Sequence, residues 1–311
     1  LDTDFSGQTS VGLLTNLTAT RINPLGAEWR PDLLIGTNWA LSSEFYQPLD
    51  FRGRWFVAPF VDIRRRLDGY WEDGQRLAEL ETRLGLVGFD LGYQATKYGE
   101  FRLGYGRGRA SVSTASGELP VDAADQQEVE GIDLGAIRFS ATTDRLDSAT
   151  FPRRGHRSRV EAFIARESLG SDVEYDRWQV RLSKVWSFGR NTFLGGLEGG
   201  WSPGRELPPY AEFLVGGFLS LSGFAQGELR GQSFGVARLG YYRQAFGSLF
   251  LGGYLEGGNV WQTTDEAGFD NLLGTATIFI GRDSRLGPVY VAYGHSEDGN
   301  GSVYLVFGRT F

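Results

Sequence analysis

The chain has 311 residues, a net charge of −7 and no cysteine. Without cysteine it can form neither a disulfide framework nor a thiolate metal site. The acidic balance argues against nucleic acid as a partner, because proteins that bind nucleic acid carry basic faces. Glycine is frequent, at 45 residues, aromatic residues make up 14%, and the mean hydropathy is only −0.26.

No stretch of the sequence is suited to a membrane-spanning helix, which needs about 20 consecutive apolar residues. The most apolar stretch, 213–224, is short and is interrupted by Gly216, Gly217, Ser220 and Ser222. The other structure that can cross a bilayer is a closed β-barrel. Its mean hydropathy stays modest because lipid-facing and lumen-facing residues alternate.

Alternation with a period of two residues recurs along the chain and predicts strands. In chain order it is clearest at 79–86, 101–106, 157–164 and 177–188, where charged or small residues share one face and apolar residues the other. We expect the polar faces to line a water-filled lumen and the apolar faces to contact lipid. A soluble β-sandwich would also alternate, but it would not need so many bulky aromatic residues near the strand ends.

Turn residues divide the chain into about sixteen strands, the first at residues 1–5. Barrels of this kind usually have short periplasmic turns and longer outer connections. The short turns are expected at 23–26, 47–50, 189–191 and 247–248. The longer connections are expected at 114–131, with an acidic run from Asp122, and at 203–232.

A weak internal repeat relates 193–201 to 250–261, and each copy places a glutamate, Glu198 or Glu256, among glycines. Glycine-rich strands leave space beside the wall, which favours a segment folded into the lumen. Glycine also relieves the curvature of a barrel wall. Both interpretations stay open at this point.

Catalytic and metal-binding motifs are weak. The two histidines, His156 and His295, are far apart, which argues against a metal site or a histidine-based triad. The segment 294–299 resembles a nucleophile elbow, but Asp298 stands where that motif needs glycine. We expect no catalytic residue, no metal site and no cofactor. A lipid hydrolase using His295 and Ser296 is one alternative, and a passive diffusion porin is another.

The last strand ends in an aromatic residue. Val303, Leu305, Phe307 and Phe311 share one face, and Phe311 is the final residue. This pattern resembles the C-terminal signal that the barrel-assembly machinery recognises, with Phe307 and Phe311 as its aromatic residues.

Residues 207–231 resemble the sixth loop of the BamA, TamA and two-partner-secretion barrel superfamily. In that loop a Gly-Gly pair precedes a tetrad of hydrophobic residue, arginine, glycine and aromatic residue, which folds back into the lumen. Turns at 147–155 and 282–288 resemble turns of the same superfamily. The matching loop residues in this chain are Gly216, Gly217, Leu221, Ser222, Gly223 and Phe224, followed by Arg230.

The tetrad differs from the superfamily at one position, because Ser222 stands where arginine is expected. In members that have the arginine, it pairs with an inward-facing acid on a nearby strand, and Glu256 resembles that acid. A buried unpaired carboxylate would be costly. We therefore expect Arg230, Arg238 or a lumen arginine such as Arg181 to compensate its charge.

The Leu-Ser-Gly-Phe form of the tetrad, together with residues 44–48, most resembles the barrel of patatin-like type Vd autotransporters. In that family a signal peptide, a patatin lipase passenger and one POTRA domain precede the barrel. The resemblance implies a translocator in the Gram-negative outer membrane, with any lipase activity in the passenger. A two-partner-secretion transporter or an outer-membrane insertase is the alternative. The implied partners are outer-membrane lipid and lipopolysaccharide, the barrel-assembly machinery, periplasmic chaperones and the chain's own passenger.

The expected fold class is all-β: a sixteen-stranded antiparallel transmembrane barrel, with an inward-folding loop between strands 11 and 12. It forms a single domain over residues 1–311. The side chains expected to face the lumen with charge are Arg157, Arg159, Glu161, Arg177, Arg181, Glu198, Arg238 and Glu256.

Overall fold

The computed structural model describes residues 12–307, except 73, 97, 121–122, 124–125, 264–265 and 285–286. The predicted first strand at residues 1–5 and the terminal Phe311 lie outside the described residues. Within the described part of the chain, no helix has the length and hydropathy needed to span a membrane.

The described residues form seventeen β-strands and a short 3-10 helix, Glu167–Leu169. The strands are β1 Gly12–Asn16, β2 Glu28–Gly36, β3 Trp39–Pro48, β4 Trp55–Glu72, β5 Gln75–Thr96, β6 Gly99–Gly117, β7 Val129–Asp144, β8 Gly155–Ala165, β9 Tyr175–Phe188, β10 Asn191–Trp201, β11 Phe213–Val215, β12 Leu229–Gly231, β13 Ser233–Phe246, β14 Leu249–Trp261, β15 Leu273–Ser284, β16 Gly287–Ser296 and β17 Gly301–Phe307.

Fifteen of these strands form one sheet, in which each strand pairs antiparallel with the next in the chain, except that β10 pairs with β13. The hairpin β11–β12 lies between those two and forms a separate small sheet. The all-β antiparallel fold class is therefore confirmed. The inserted loop follows β10, the tenth strand of the described sheet. The sequence prediction numbered the strand before this loop 11, because it also counted a first strand at residues 1–5, which lie outside the described residues.

The connections alternate between the two ends of the sheet, since every pairing is antiparallel. The four predicted short turns therefore lie at one end, and the two long predicted connections lie at the other. Buried side chains from strands as far apart as β4 and β13 meet in one cluster. The sheet thus curls around an interior, which we call the lumen.

The predicted facing of residues 79–86 is wrong. Leu80 and Leu86 point into the lumen and are buried, whereas Glu81 lies on the outer face with Arg65 and Arg83 as ion-pair partners. At roughly 3.3 Å per residue, the 22 residues of β5 are far longer than an apolar band about 25 Å tall. The outer face of β5 is therefore charged beyond the lipid, and the lumen beside it is apolar.

Beyond the charged cluster of Glu81, Arg65 and Arg83, the outer face is apolar. Val61, Ile63, Val87, Phe89 and Leu103 are all exposed on neighbouring strands. Large apolar side chains in a contiguous exposed band are typical of the lipid-facing surface of a barrel. The facing predicted for residues 101–106 agrees with this band.

Close strand contact makes one wall glycine indispensable. A Cβ added to Gly108 would lie 1.8 Å from the carbonyl oxygen of Gly85, whereas a Cβ added to Gly85 would meet nothing within 4 Å. We expect Gly108→Ala to destabilise the barrel by about 1–3 kcal/mol because the backbone must shift. Gly85→Ala should stay within about 0.5 kcal/mol of the parent. Urea unfolding followed by tryptophan fluorescence measures both, and equal midpoints would contradict this account.

Candidate functional site: a loop anchored in the lumen

The connection between β10 and β13, residues 202–232, folds into the lumen, and we call it loop six. Gly216 and Gly217 turn its chain with φ values of +120° and +101°, which side chains other than glycine rarely adopt. A Cβ on Gly216 would also lie 2.3 Å from the carbonyl oxygen of Ala225. The Gly-Gly pair is therefore required by the path of the loop.

A buried carboxylate holds the tip of loop six. The backbone N–H and the hydroxyl of Ser222 donate to Oε2 of Glu256 at 2.9 and 2.6 Å. The hydroxyl of Thr275 donates to the same oxygen at 3.3 Å, and Nε of Arg238 donates to Oε1 at 2.9 Å. Ser222 and the side chain of Glu256 are both 0% exposed. We call these four residues the tip anchor.

The structure assigns charge compensation at Glu256 to Arg238. Arg230 pairs instead with Glu212 at 3.3 Å, and Arg181 pairs with Glu198 at 2.5 Å. A serine can supply hydrogen bonds to a carboxylate but no positive charge. The wall therefore provides the cation, and the loop provides only uncharged donors.

The tip also contacts the last strand. The backbone N–H of Gly223 donates to the hydroxyl of Tyr304 at 3.0 Å, and that hydroxyl donates to the carbonyl oxygen of Phe224 at 3.3 Å. The hydroxyl of Ser302 donates to the carbonyl oxygen of Gly223 at 3.3 Å. A Cβ on Gly294 would lie 2.7 Å from Cβ of Ser222, so this glycine makes room for the tip.

The sequence did not predict that Thr275, Gly294 and Tyr304 contact the loop. The sequence gives one weak indication for Tyr304. It lies on the inward face of the last strand, and a buried tyrosine hydroxyl usually needs a hydrogen-bond partner. Nothing in the sequence relates that position to residue 223. The contact depends on how far the loop reaches across the lumen.

A second contact holds the base of loop six on β9. Nε of Arg177 donates to the carbonyl oxygen of Ala211 at 2.8 Å, and its guanidinium lies 4.2 Å from the ring centre of Phe213. Phe213 fills space beside Gly200, where a Cβ would lie 2.3 Å from the ring. Of the two roles considered for the glycines of the internal repeat, Gly200 therefore has that of making room for a segment in the lumen. A Cβ added to Gly257 would meet nothing within 4 Å, so Gly257 does not have this role.

Loop six builds an apolar cluster across one half of the lumen. Wall residues from β4 to β13 contact loop residues on all sides. The buried loop members are Leu207, Tyr210, Ala211, Phe213, Val215, Leu221 and Phe224. Burial of apolar surface contributes about 25 cal/mol per Å², so this cluster stabilises the inserted loop together with the tip anchor.

Beside this cluster lies a polar cavity of about 980 Å³, which we call the chamber. It is lined by β3 to β9 and by residues 210–212 of loop six. Four of the predicted lumen residues line it: Arg159, Glu161, Arg177 and Arg181. Arg157 and Glu198 pair with chamber residues, Asp144 at 3.5 Å and Arg181 at 2.5 Å. Arg238 and Glu256 belong instead to the tip anchor.

The turn at residues 147–155, which contains Pro152, folds inward at the opposite end of the lumen. Phe151 is buried and stacks on Phe250 with ring centres 4.0 Å apart. The carboxylate of Asp147 accepts backbone N–H bonds from Arg153 and Arg154 at 2.8 and 3.2 Å. The turn therefore packs an aromatic residue against strands far from its own in the sheet.

His295 and Ser296 lie on opposite faces of β16. His295 is exposed and stacks on Tyr293, whereas Ser296 is 1% exposed and hydrogen-bonds Asn300 across a turn. No group of three or more His, Asp or Glu residues in the described ranges could hold a metal ion. Among the C-terminal aromatic residues, Phe307 lies exposed on the outer face.

The tip anchor predicts a large effect of one substitution. Glu256→Ala leaves the guanidinium of Arg238, whose side chain is only 20% exposed, without its carboxylate, and we expect a loss of about 3–5 kcal/mol in the free energy of unfolding. The control, Glu198→Ala, removes a partly exposed ion pair and should cost less than about 1 kcal/mol. Denaturant titration in detergent micelles measures both. Equal losses would show that the anchor does not stabilise the barrel.

Comparisons with known proteins agree with this architecture. BamA from Haemophilus ducreyi lacking POTRA domains 1–3 superposes with a TM-score of 0.78 at 14% identity, covering 98% of this chain and 68% of that one. CdiB from Acinetobacter baumannii gives 0.66 at 11% identity, covering 98% and 57%, and CdiB from Escherichia coli gives 0.62 at 15%, covering 98% and 61%. No curated protein sequence matches the chain. The Omp85 superfamily domain matches residues 25–303. The chain therefore belongs to the Omp85 superfamily and is a β-barrel of the Gram-negative outer membrane.

Proposed function

We propose that the barrel is the translocator of a type V secretion protein of the patatin-like, type Vd kind. It passes or anchors an N-terminal passenger across the outer membrane, and the barrel itself forms the single domain of residues 1–311. The observation that carries this proposal is Ser222 in the tip anchor, bonded to Glu256 with Arg238 as the counter-ion. The Leu-Ser-Gly-Phe tetrad is the feature that distinguishes the type Vd barrels in the resemblance described above.

The mechanism is conformational. Loop six fills one half of the lumen, so an extended polypeptide needs the loop to shift before it can pass. The anchor consists of hydrogen bonds to one carboxylate, which can break and reform without covalent chemistry. The polar chamber beside the loop then offers hydrated side chains to the moving chain. Any lipase activity belongs to the passenger, and the barrel acts as its conduit, with no catalytic residue, metal or cofactor of its own.

Two other functions use the same fold. A two-partner-secretion transporter would pass a separate protein, and an insertase would fold other barrels. The tetrad favours the type Vd translocator over these two functions. The gene sequence upstream of the codon for residue 1 discriminates among the three. A patatin domain there supports the autotransporter, whereas several POTRA domains would favour the alternatives. The anchored loop disfavours a passive porin. Steady, large openings in single-channel conductance recordings would instead favour the porin.

Deletion of residues 221–224 tests the translocator function. We expect surface display of the passenger to fall strongly, because a loop without its tip cannot re-form the anchor and the contact with Tyr304 that hold the shape of the lumen. The matched control is deletion of residues 269–272, four exposed positions in the connection after β14. Protease accessibility of the passenger on intact cells measures display, and barrel levels in the membrane are measured in parallel. Normal display without the tip would overturn the proposal.

A further inference from the structure

Among the described residues that line the chamber, three arginines have no hydrogen bond to a carboxylate: Arg64 on β4, Arg138 on β7 and Arg177 on β9. We call them the chamber arginines. The side chain of Arg64 is exposed to the chamber and makes no hydrogen bond or ion pair within the described ranges. Nη1 of Arg138 is buried without a hydrogen-bond partner. Arg177 contacts a carbonyl oxygen, an amide oxygen and a ring, but no carboxylate within the described residues.

The chamber arginines act on one another, because the positive charge at Arg64 is repelled by Arg138 and also by Arg177. Acids face them as well. Asp62 shares the inward face of β4 with Arg64, and Asp90 lies 3.8 Å from Arg138, too far for a hydrogen bond. Neighbouring Arg66 is already paired with Asp68, and Arg159 with Glu161. Nε of Arg159 is also buried without a hydrogen-bond partner, but the chamber arginines are the lining arginines of the described residues whose guanidinium groups bond no carboxylate.

We propose that the chamber arginines bind a carboxylate side chain of an extended polypeptide inside the lumen. The inference rests on the proposed translocator function and names the chemistry by which the lumen holds its cargo. A guanidinium group presents paired N–H donors that match a carboxylate in geometry and charge. Buried N–H groups without acceptors are unfavourable. A ligand that supplies oxygen atoms as acceptors for these N–H groups therefore binds more tightly.

The same chamber disfavours polyanions. Seven acids line it beside seven arginines, so closely spaced charges of either sign face one another there; the acids are Glu44, Asp62, Asp90, Glu100, Asp144, Glu161 and Glu212. A ligand with many closely spaced negative charges would be repelled by these side chains. A single acidic residue within an otherwise uncharged, extended segment avoids most of that repulsion. The geometry therefore suits an isolated Asp or Glu of a passing chain.

The test measures binding of labelled Gly-Ser peptides to the full-length protein in detergent micelles by fluorescence anisotropy. The peptides carry one central Glu, Gln or Lys. We expect the Glu peptide to bind at least about ten-fold more tightly than the Gln peptide, since hydrogen bonds to charged groups are the stronger ones. In Arg64→Gln the Glu peptide should bind no better than the Gln peptide.

The matched control is Arg109→Gln, which removes an exposed arginine on the outer face of β6 that pairs with Asp133. It should leave the peptide affinities unchanged. Equal binding of the Glu and Gln peptides by the parent, which needs no variant to fold, would overturn the inference. Loss of the Glu preference in Arg109→Gln would also overturn it. Normal passenger display after deletion of residues 221–224, with the Glu preference intact in the parent, would instead count against the proposed function.

Discussion

The carboxylate of Glu256 is the point on which the inserted loop depends. It lies in the wall with its side chain fully buried, and an isolated charge there would be strongly unfavourable. Arg238 on the neighbouring strand compensates the charge, and Ser222 and Thr275 satisfy the remaining oxygen. Because the serine hydroxyl is short, the loop backbone itself must come close to the wall. This close approach explains why Gly294 and Gly223 lack side chains at the contact.

With its tip fixed there and its base held by Arg177, loop six divides the lumen into an apolar half and a polar chamber. The division explains the side-chain pattern of the long strands. β5 presents leucines to the loop over part of its length and Asp90 to the chamber further along. The same strand therefore changes the polarity of its inward face without any change in its period.

The sequence was sufficient for the strands, the turns and the position of the loop, because period-two alternation and turn residues are local signals. It was also sufficient to name Glu256 and to limit its counter-ion to Arg230, Arg238 or Arg181. It was not sufficient for the facing of residues 79–86, since alternation shows which residues share a face but not which face is inside. The contacts of Tyr304 and Arg177 with the loop depend on distances across the lumen, and no local pattern encodes them.

The central claim is that loop six must leave its anchor for a polypeptide to pass. The chain contains no cysteine, so a Phe218→Cys and Tyr290→Cys pair can be joined selectively by a short bifunctional methanethiosulfonate, whose disulfide bonds a reductant cleaves. The two rings pack with centres 6.0 Å apart, one in loop six and the other on β16 of the wall. Passenger display is measured with the pair cross-linked and then reduced, beside each single-cysteine variant treated alike. The account predicts that display stops on cross-linking and returns on reduction, while the single variants do not respond. Unchanged display by the fully cross-linked pair would contradict it.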